Sequence, residues 1–195
     1  ADNNNPDCLW YAWQHQPDEV TRRVVEVIRA VKPQVVVTFN EYGGYGHPDH
    51  IAMHQATVAA FHLAGVPDYI TEGFPPYAPQ KLYYTSIPAT MIKIGVWLMR
   101  LRGKDPRRAG INQDIDVQAI LDHISPTHTR VDIRGYLDKW DAASACHDSQ
   151  NSGSIAPRWI RKLMTARQGF TRAHPRPVRN RVDEHDLFTG VVTDR

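Results

Sequence analysis

The sequence predicts an α/β fold, a mostly parallel sheet flanked by helices, and three observations carry that expectation. Val20, Val24, Val27, Ile28 and Val31 recur at helical spacing, and Gln34-Val35-Val36-Val37-Thr38-Phe39 follows as a β-branched run apolar on both faces. After a Gly-rich loop the pattern turns helical again from Pro48. Strand, Gly-rich loop and helix in this order make the βα unit of an open sheet, whose ligands bind at the carboxyl ends of the strands.

Pro17-Asp18-Glu19 starts the first clear helix, with acidic groups in the first turn where they suit the positive end of the dipole, and Pro33 ends it. The helix from Pro48 carries Ile51, Gln55, Val58, Phe61 and His62 near one stripe and has Gly65 in the capping position. Past the Pro-rich loop 74–79, Lys81 to Ile87 reads as a second strand, and Pro88 to Arg102 as a helix stopped by Gly103. Residues 104–113 are charged and punctuated by Gly and Pro, the composition of a surface loop or lid. A third strand is expected from Thr127 to Ile133, a helix from Gly135 to His147, and a short helix from Pro157 to Arg167. Extended pieces should follow at Phe170 to Ala173 and Leu187 to Val192.

Composition bounds the function. With 195 residues, 42% hydrophobic and 23% charged, the chain has the make-up of one globular domain with a sizeable core. The net charge of +2 gives no support to a nucleic-acid or anionic-membrane role, although the stretch from Arg158 to Arg181 is locally basic. Cys8 and Cys146 sit in no metal-binding or disulfide-framework spacing, which makes a reducing, cytoplasmic setting the default. No run approaches the ~20 apolar residues that span a bilayer; the longest apolar patch, Ile92 to Leu101, is broken by Lys93 and Arg100.

The chemistry concentrates in Gly43-Gly44-Tyr45-Gly46-His47-Pro48-Asp49-His50. The glycines let the loop pass close to a ligand, but they lack the Gly-x-Gly-x-x-Gly spacing of a dinucleotide site. His50, on the helix, can offer a neutral imidazole to a divalent metal, with zinc favoured. His50 and His54 form an i, i+4 pair, yet Ile51, Ala52 and Met53 between them supply no general base. His47 at the loop–helix junction suits a general acid or an oxyanion stabiliser. Asp49 either orients His47 or meets the N-terminus of its own helix, and Tyr45 either donates to a substrate or packs under the loop. His147-Asp148-Ser149-Gln150 can line a pocket or cap a helix.

These residues carry a resemblance. Val35 to Phe39 followed by the segment from Gly43 to Ala52 closely resembles a signature of the PIG-L/LmbE family, zinc-dependent de-N-acetylases of GlcNAc-type substrates. Two further matches are similar to the family's pattern: Val131 to Ser149-Gln150, with its His-x-Ser-Gln ending, and Asp186-Leu187-Phe188-Thr189-Gly190. The resemblance implies a Rossmann-like sheet, zinc as cofactor and a small-molecule N-acetylated sugar as substrate, with no nucleic acid or membrane as partner. It implies His50 as a zinc ligand, His47 as acid or oxyanion stabiliser, Asp49 as its partner and Tyr45 near the substrate. The family's other two ligands and its general base lie in a His-Pro-Asp-Asp segment, and none occurs here. Ala1 to Pro6 looks like the middle of a longer member. The expectation is therefore a single incomplete domain over 1–195, missing its first strands and on the order of one hundred residues, with impaired activity on its own. A non-catalytic sugar-binding relative or an inactive fragment is the alternative.

Overall fold

The computed structural model describes residues 5–71, 73–109, 113, 115–146 and 167–193. In chain order the elements are α1 (Leu9–His15), α2 (Pro17–Val31), β1 (Val35–Thr38), the single turn α3 (Gly43–Gly46) and α4 (Pro48–Leu63). Then come β2 (Lys81–Ser86), α5 (Ala89–Leu101), α6 (Val117–Asp122) and β3 (Thr129–Asp132). A 3-10 turn at Arg134–Tyr136, α7 (Leu137–Ala145) and β4 (Arg167–His174) complete the described set. The α/β class is as expected. The expected helix at 157–166 lies outside the described residues, as do His147 and its neighbours.

The strands form one sheet in the order β1-β2-β4-β3. β1 and β2 run parallel, Val35 opposite Lys81 and Thr38 opposite Tyr84, whereas β4 pairs antiparallel with both β2 and β3. The sheet is thus mixed among the described strands, not mostly parallel. Its parallel half holds the βα unit seen in the sequence. The antiparallel half comes from β4, which contains the extended piece expected at Phe170 to Ala173 and begins earlier, at Arg167.

The core is centred where α2 packs on α4. Val25, Ile28, Ala60 and Ala64 are buried together, with Val24, Leu63, Tyr69 and Tyr77 against them. Ala52, Ala56 and Ala60 are fully buried at four-residue spacing, so α4 presents a seam of methyl groups that lets its neighbours approach closely. Beneath this contact lies Arg29, 2% exposed. Its guanidinium donates to the carbonyls of Ala64 (2.9 Å) and Val66 (2.8 Å) and to Thr71 Oγ1 (2.8 Å). The Ala64 carbonyl is at the carboxyl end of α4, where a cation meets both orphan carbonyls and the negative end of the helix dipole.

A second buried polar centre ties the C-terminal segment to the sheet. The Glu184 carboxylate accepts from Lys81 Nζ, Tyr83 Oη and Thr129 Oγ1, each at 2.7 Å, and from Arg172 at 2.5 Å. The expected extended piece at Leu187–Val192 is instead turn over residues 187–190. Asp186 causes this: its carboxylate accepts from Phe188 N–H (3.0 Å) and its carbonyl from Thr189 N–H (3.3 Å), while Gly190 takes a φ of +75°.

Candidate active site at the carboxyl edge of the parallel strands

The local chain path explains why the histidines meet. β1 ends at Thr38, and the chain turns through Asn40, whose carbonyl accepts from Gly43 N–H and whose side-chain oxygen accepts from Gly44 N–H, both at 2.8 Å. Gly43, Gly44 and Gly46 all have positive φ (+68°, +75° and +89°), so the turn needs residues without Cβ strain. At Gly43 the demand is also spatial: a Cβ there would come within 2.9 Å of Ile51. This tight turn delivers His47 to the N-cap of α4 and places Pro48 at its first position.

His47 and His50 lie with ring centroids 5.0 Å apart, and their hydrogen bonds are opposite in sense. Nδ1 of His47 accepts from the Asp49 backbone N–H at 3.2 Å, capping α4. A neutral ring bonded this way carries its proton on Nε2 and presents a donor. Nδ1 of His50 meets the Gly43 carbonyl at 3.1 Å, so it must donate, which leaves the Nε2 lone pair free. Burial pushes the His50 pKa below its ordinary value and so favours the neutral ring, with the Gly43 hydrogen bond opposing in part. Phe39 stacks flat on His50 (3.9 Å, 4°) and fixes the ring plane.

Tyr45 stands over both imidazoles, 5.8 Å from His47 and 5.2 Å from His50 by ring centroid, and is 44% exposed. It is open to a ligand and is not packed under the loop. The Asp49 carboxylate accepts from Trp10 N–H at 2.7 Å and so caps α1, an element the sequence pattern did not reveal. It is the Asp49 backbone N–H that reaches the His47 ring. His54, by contrast, is 7% exposed, donates to the Phe39 carbonyl at 2.8 Å and packs edge-on against Tyr84, which makes it part of the scaffold.

Two contacts at this edge were not read from the sequence. Asn40 is 8% exposed and its amide also donates to the His123 carbonyl (3.4 Å), linking the loop to the end of α6. His123 in turn stacks on Tyr42 (4.3 Å, 9°). An Asn before a glycine cluster is the one signal that could have marked it, since Asn side chains commonly hold such turns.

His50 has the orientation of a metal ligand whose second nitrogen is held by a carbonyl. One imidazole does not make a zinc site. Among the described residues no group of three or more His, Cys, Asp or Glu is placed to hold a metal ion. The described donor set therefore fits one corner of a tetrahedral centre and not the whole.

The chain is similar to known proteins in sequence and in fold. Residues 2–61 match the PIG-L family, described as GlcNAc-PI de-N-acetylase. The chain is 37% identical over 148 residues to a 1D-myo-inositol 2-acetamido-2-deoxy-alpha-D-glucopyranoside deacetylase of Thermomonospora curvata, a match covering 76% of this chain and 47% of the relative. It is 34% identical over 148 residues to the protein of the same name from Acidothermus cellulolyticus, covering 76% and 46%. The chain thus spans about half the length of these relatives. Among solved structures, a conserved protein from Thermus thermophilus superposes with a TM-score of 0.52 at 21% identity, covering 80% of this chain and 59% of that one, a likeness of fold.

Proposed function

We propose that this chain, which belongs to the PIG-L/LmbE family of de-N-acetylases, is part of one zinc-dependent hydrolase domain that removes an N-acetyl group from a GlcNAc-type conjugate. The observation that carries the reading is the His47–His50 pair, one ring offering a donor and the other a lone pair, 5.0 Å apart beside an open tyrosine. The relatives' named substrate, an N-acetylated aminosugar joined to inositol, supports a small-molecule amide as the target.

Each residue then has a task. His50 would hold the metal through its free Nε2, and the remaining ligands and the general base would come from outside the described residues. Zinc, when bound, supplies Lewis-acid polarisation of the acyl carbonyl and a more acidic water. His47 holds its Nε2 proton towards the oxygen on which negative charge grows, which requires no change in its own protonation. Asp49 fixes His47 through its backbone N–H and fixes α1 through its carboxylate. Tyr45 donates to the sugar or the acyl oxygen. Cys8 and Cys146 are both free thiols, which supports a reducing, cytoplasmic setting. No helix among the described residues is long and apolar enough to cross a membrane.

Zinc analysis of the full-length gene product tests the role assignment. His50→Ala should lower zinc retention by about 10–100-fold or more, whereas His47→Ala should keep zinc and slow turnover by about 100-fold. Equal zinc loss in both variants would contradict the division of roles. For the chain 1–195 alone, zinc should bind weakly and turnover should be poor. Stoichiometric zinc with ordinary turnover would show that the other ligands lie within it. Tight binding of a GlcNAc conjugate without zinc or turnover in the full-length product would favour a sugar-binding protein.

A further inference from the structure

We infer that α5 and the segment after it form a docking surface for an anionic lipid bilayer. At about 100° per residue, Ile94, Trp97, Leu98 and Leu101 fall on one stripe of α5. All four face solvent, at 52%, 60%, 37% and 65% exposure, while Val96 on the opposite side is buried at 4%. The helix therefore packs inward through its poorer face and turns its richer apolar face outward. Protein surfaces rarely carry such a continuous stripe without an occupant.

Charge identifies the occupant. From Ile87 to Arg108 there are six basic residues, Lys93, Arg100, Arg102, Lys104, Arg107 and Arg108, against Asp105 within the segment and Asp122 of α6, which lines the same recess as Arg100 and Arg107. Lys93 and Arg100 flank the stripe on one side and Arg102 follows on the other. Among the described residues none of the six is in an ion pair, and Arg100 is held only by Gln118 at 2.9 Å. Trp and Leu on one face, with Lys and Arg beside them and no acid within the helix, is the pattern of a helix lying in a membrane interface. A second copy fits less well. Four side chains at these exposures amount to on the order of 500 Å², short of the roughly 800 Å² per partner of a stable pair, and the two basic surfaces would repel.

The position gives the surface a use. α5 leaves the sheet directly after Ser86, at the carboxyl end of β2, the same edge at which β1 delivers the histidines. A docked α5 brings that edge to the bilayer. The surface stands on α5 and its basic flank, independently of the deacetylase reading, and the near-neutral charge of the whole chain conceals it.

Vesicle co-sedimentation of the full-length gene product tests it. Phosphatidylcholine vesicles carrying one third phosphatidylglycerol should pull down the protein, pure phosphatidylcholine should not, and high salt should release it. Trp97→Ser with Leu101→Ser should weaken sedimentation at least tenfold, and each Lys104→Gln or Arg107→Gln about fivefold. All these side chains are on the surface, so folding is spared. Val27→Ser with Val31→Ser, on the exposed side of α2, should change nothing. Equal binding to neutral vesicles, equal loss in the α2 control, no binding at all, or self-association abolished by the α5 substitutions would each overturn the proposal.

Discussion

Two histidines three residues apart carry opposite hydrogen-bond roles because different backbone groups hold their Nδ1 atoms. The Asp49 N–H donates to His47, and the Gly43 carbonyl accepts from His50. Nitrogen-resolved NMR of the neutral rings should therefore show a pyrrole-type Nε2 for His47 and a pyrrole-type Nδ1 for His50; the same tautomer on both would break the assignment. The residues of this pair are legible in the sequence, since imidazoles at a loop–helix junction after an apolar strand announce chemistry. Their tautomers are not legible, because they depend on which carbonyl or amide the folded loop brings to each ring. His54 shows the converse: sequence spacing pairs it with His50, but only burial and the Phe39 carbonyl reveal it as scaffold.

At the scale of elements, the Gly-rich turn sets the orientation of everything on α4. Gly43→Ala introduces a Cβ at positive φ and within 2.9 Å of Ile51, whereas at Gly44 the nearest atom to a new Cβ is 4.0 Å away. Urea unfolding should show both variants losing the cost of a left-handed Ala, about 1–3 kcal/mol, with Gly43→Ala losing more. Only Gly43→Ala should also shift the His50 ring resonances, because only it moves the carbonyl that holds that ring. Helices α2, α4, α5 and α7 and strands β1 to β3 are readable because each has its own start or stop signal or an unbroken apolar run. The elements that escape are α1 and α6. The first is anchored by Asp49 from far along the chain and the second has only an Asp116 cap, at 2.8 Å from Ala119 N, to mark it.

For the molecule as a whole, Glu184 joins three strands and the C-terminal segment in one buried cluster, and no periodicity in the sequence could show that. Burial opposes its charge, yet hydrogen bonds from Lys81, Tyr83, Thr129 and Arg172 hold its pKa at about 2, against an ordinary 4.5. A carboxylate with a lowered folded-state pKa adds stability above its unfolded value and loses it as pH falls through the folded one. Stability that depends on Glu184 should therefore decline between about pH 4.5 and 2, a decline that Glu184→Gln should remove. At neutral pH the same variant should cost about 3–5 kcal/mol, because Lys81 and Arg172 stay buried without their partner. The cluster joins β2, β3 and β4 in the sheet, and the proposed chemistry takes place at the carboxyl edge of β1 and β2. The most direct measurement is amine release from an N-acetylglucosaminyl-inositol conjugate by the zinc-loaded full-length gene product. Zinc-dependent release that falls at least about 100-fold in His50→Ala is the expected result; release that persists in that variant, or that needs no metal, would contradict a zinc-bound His50 at the centre of the site.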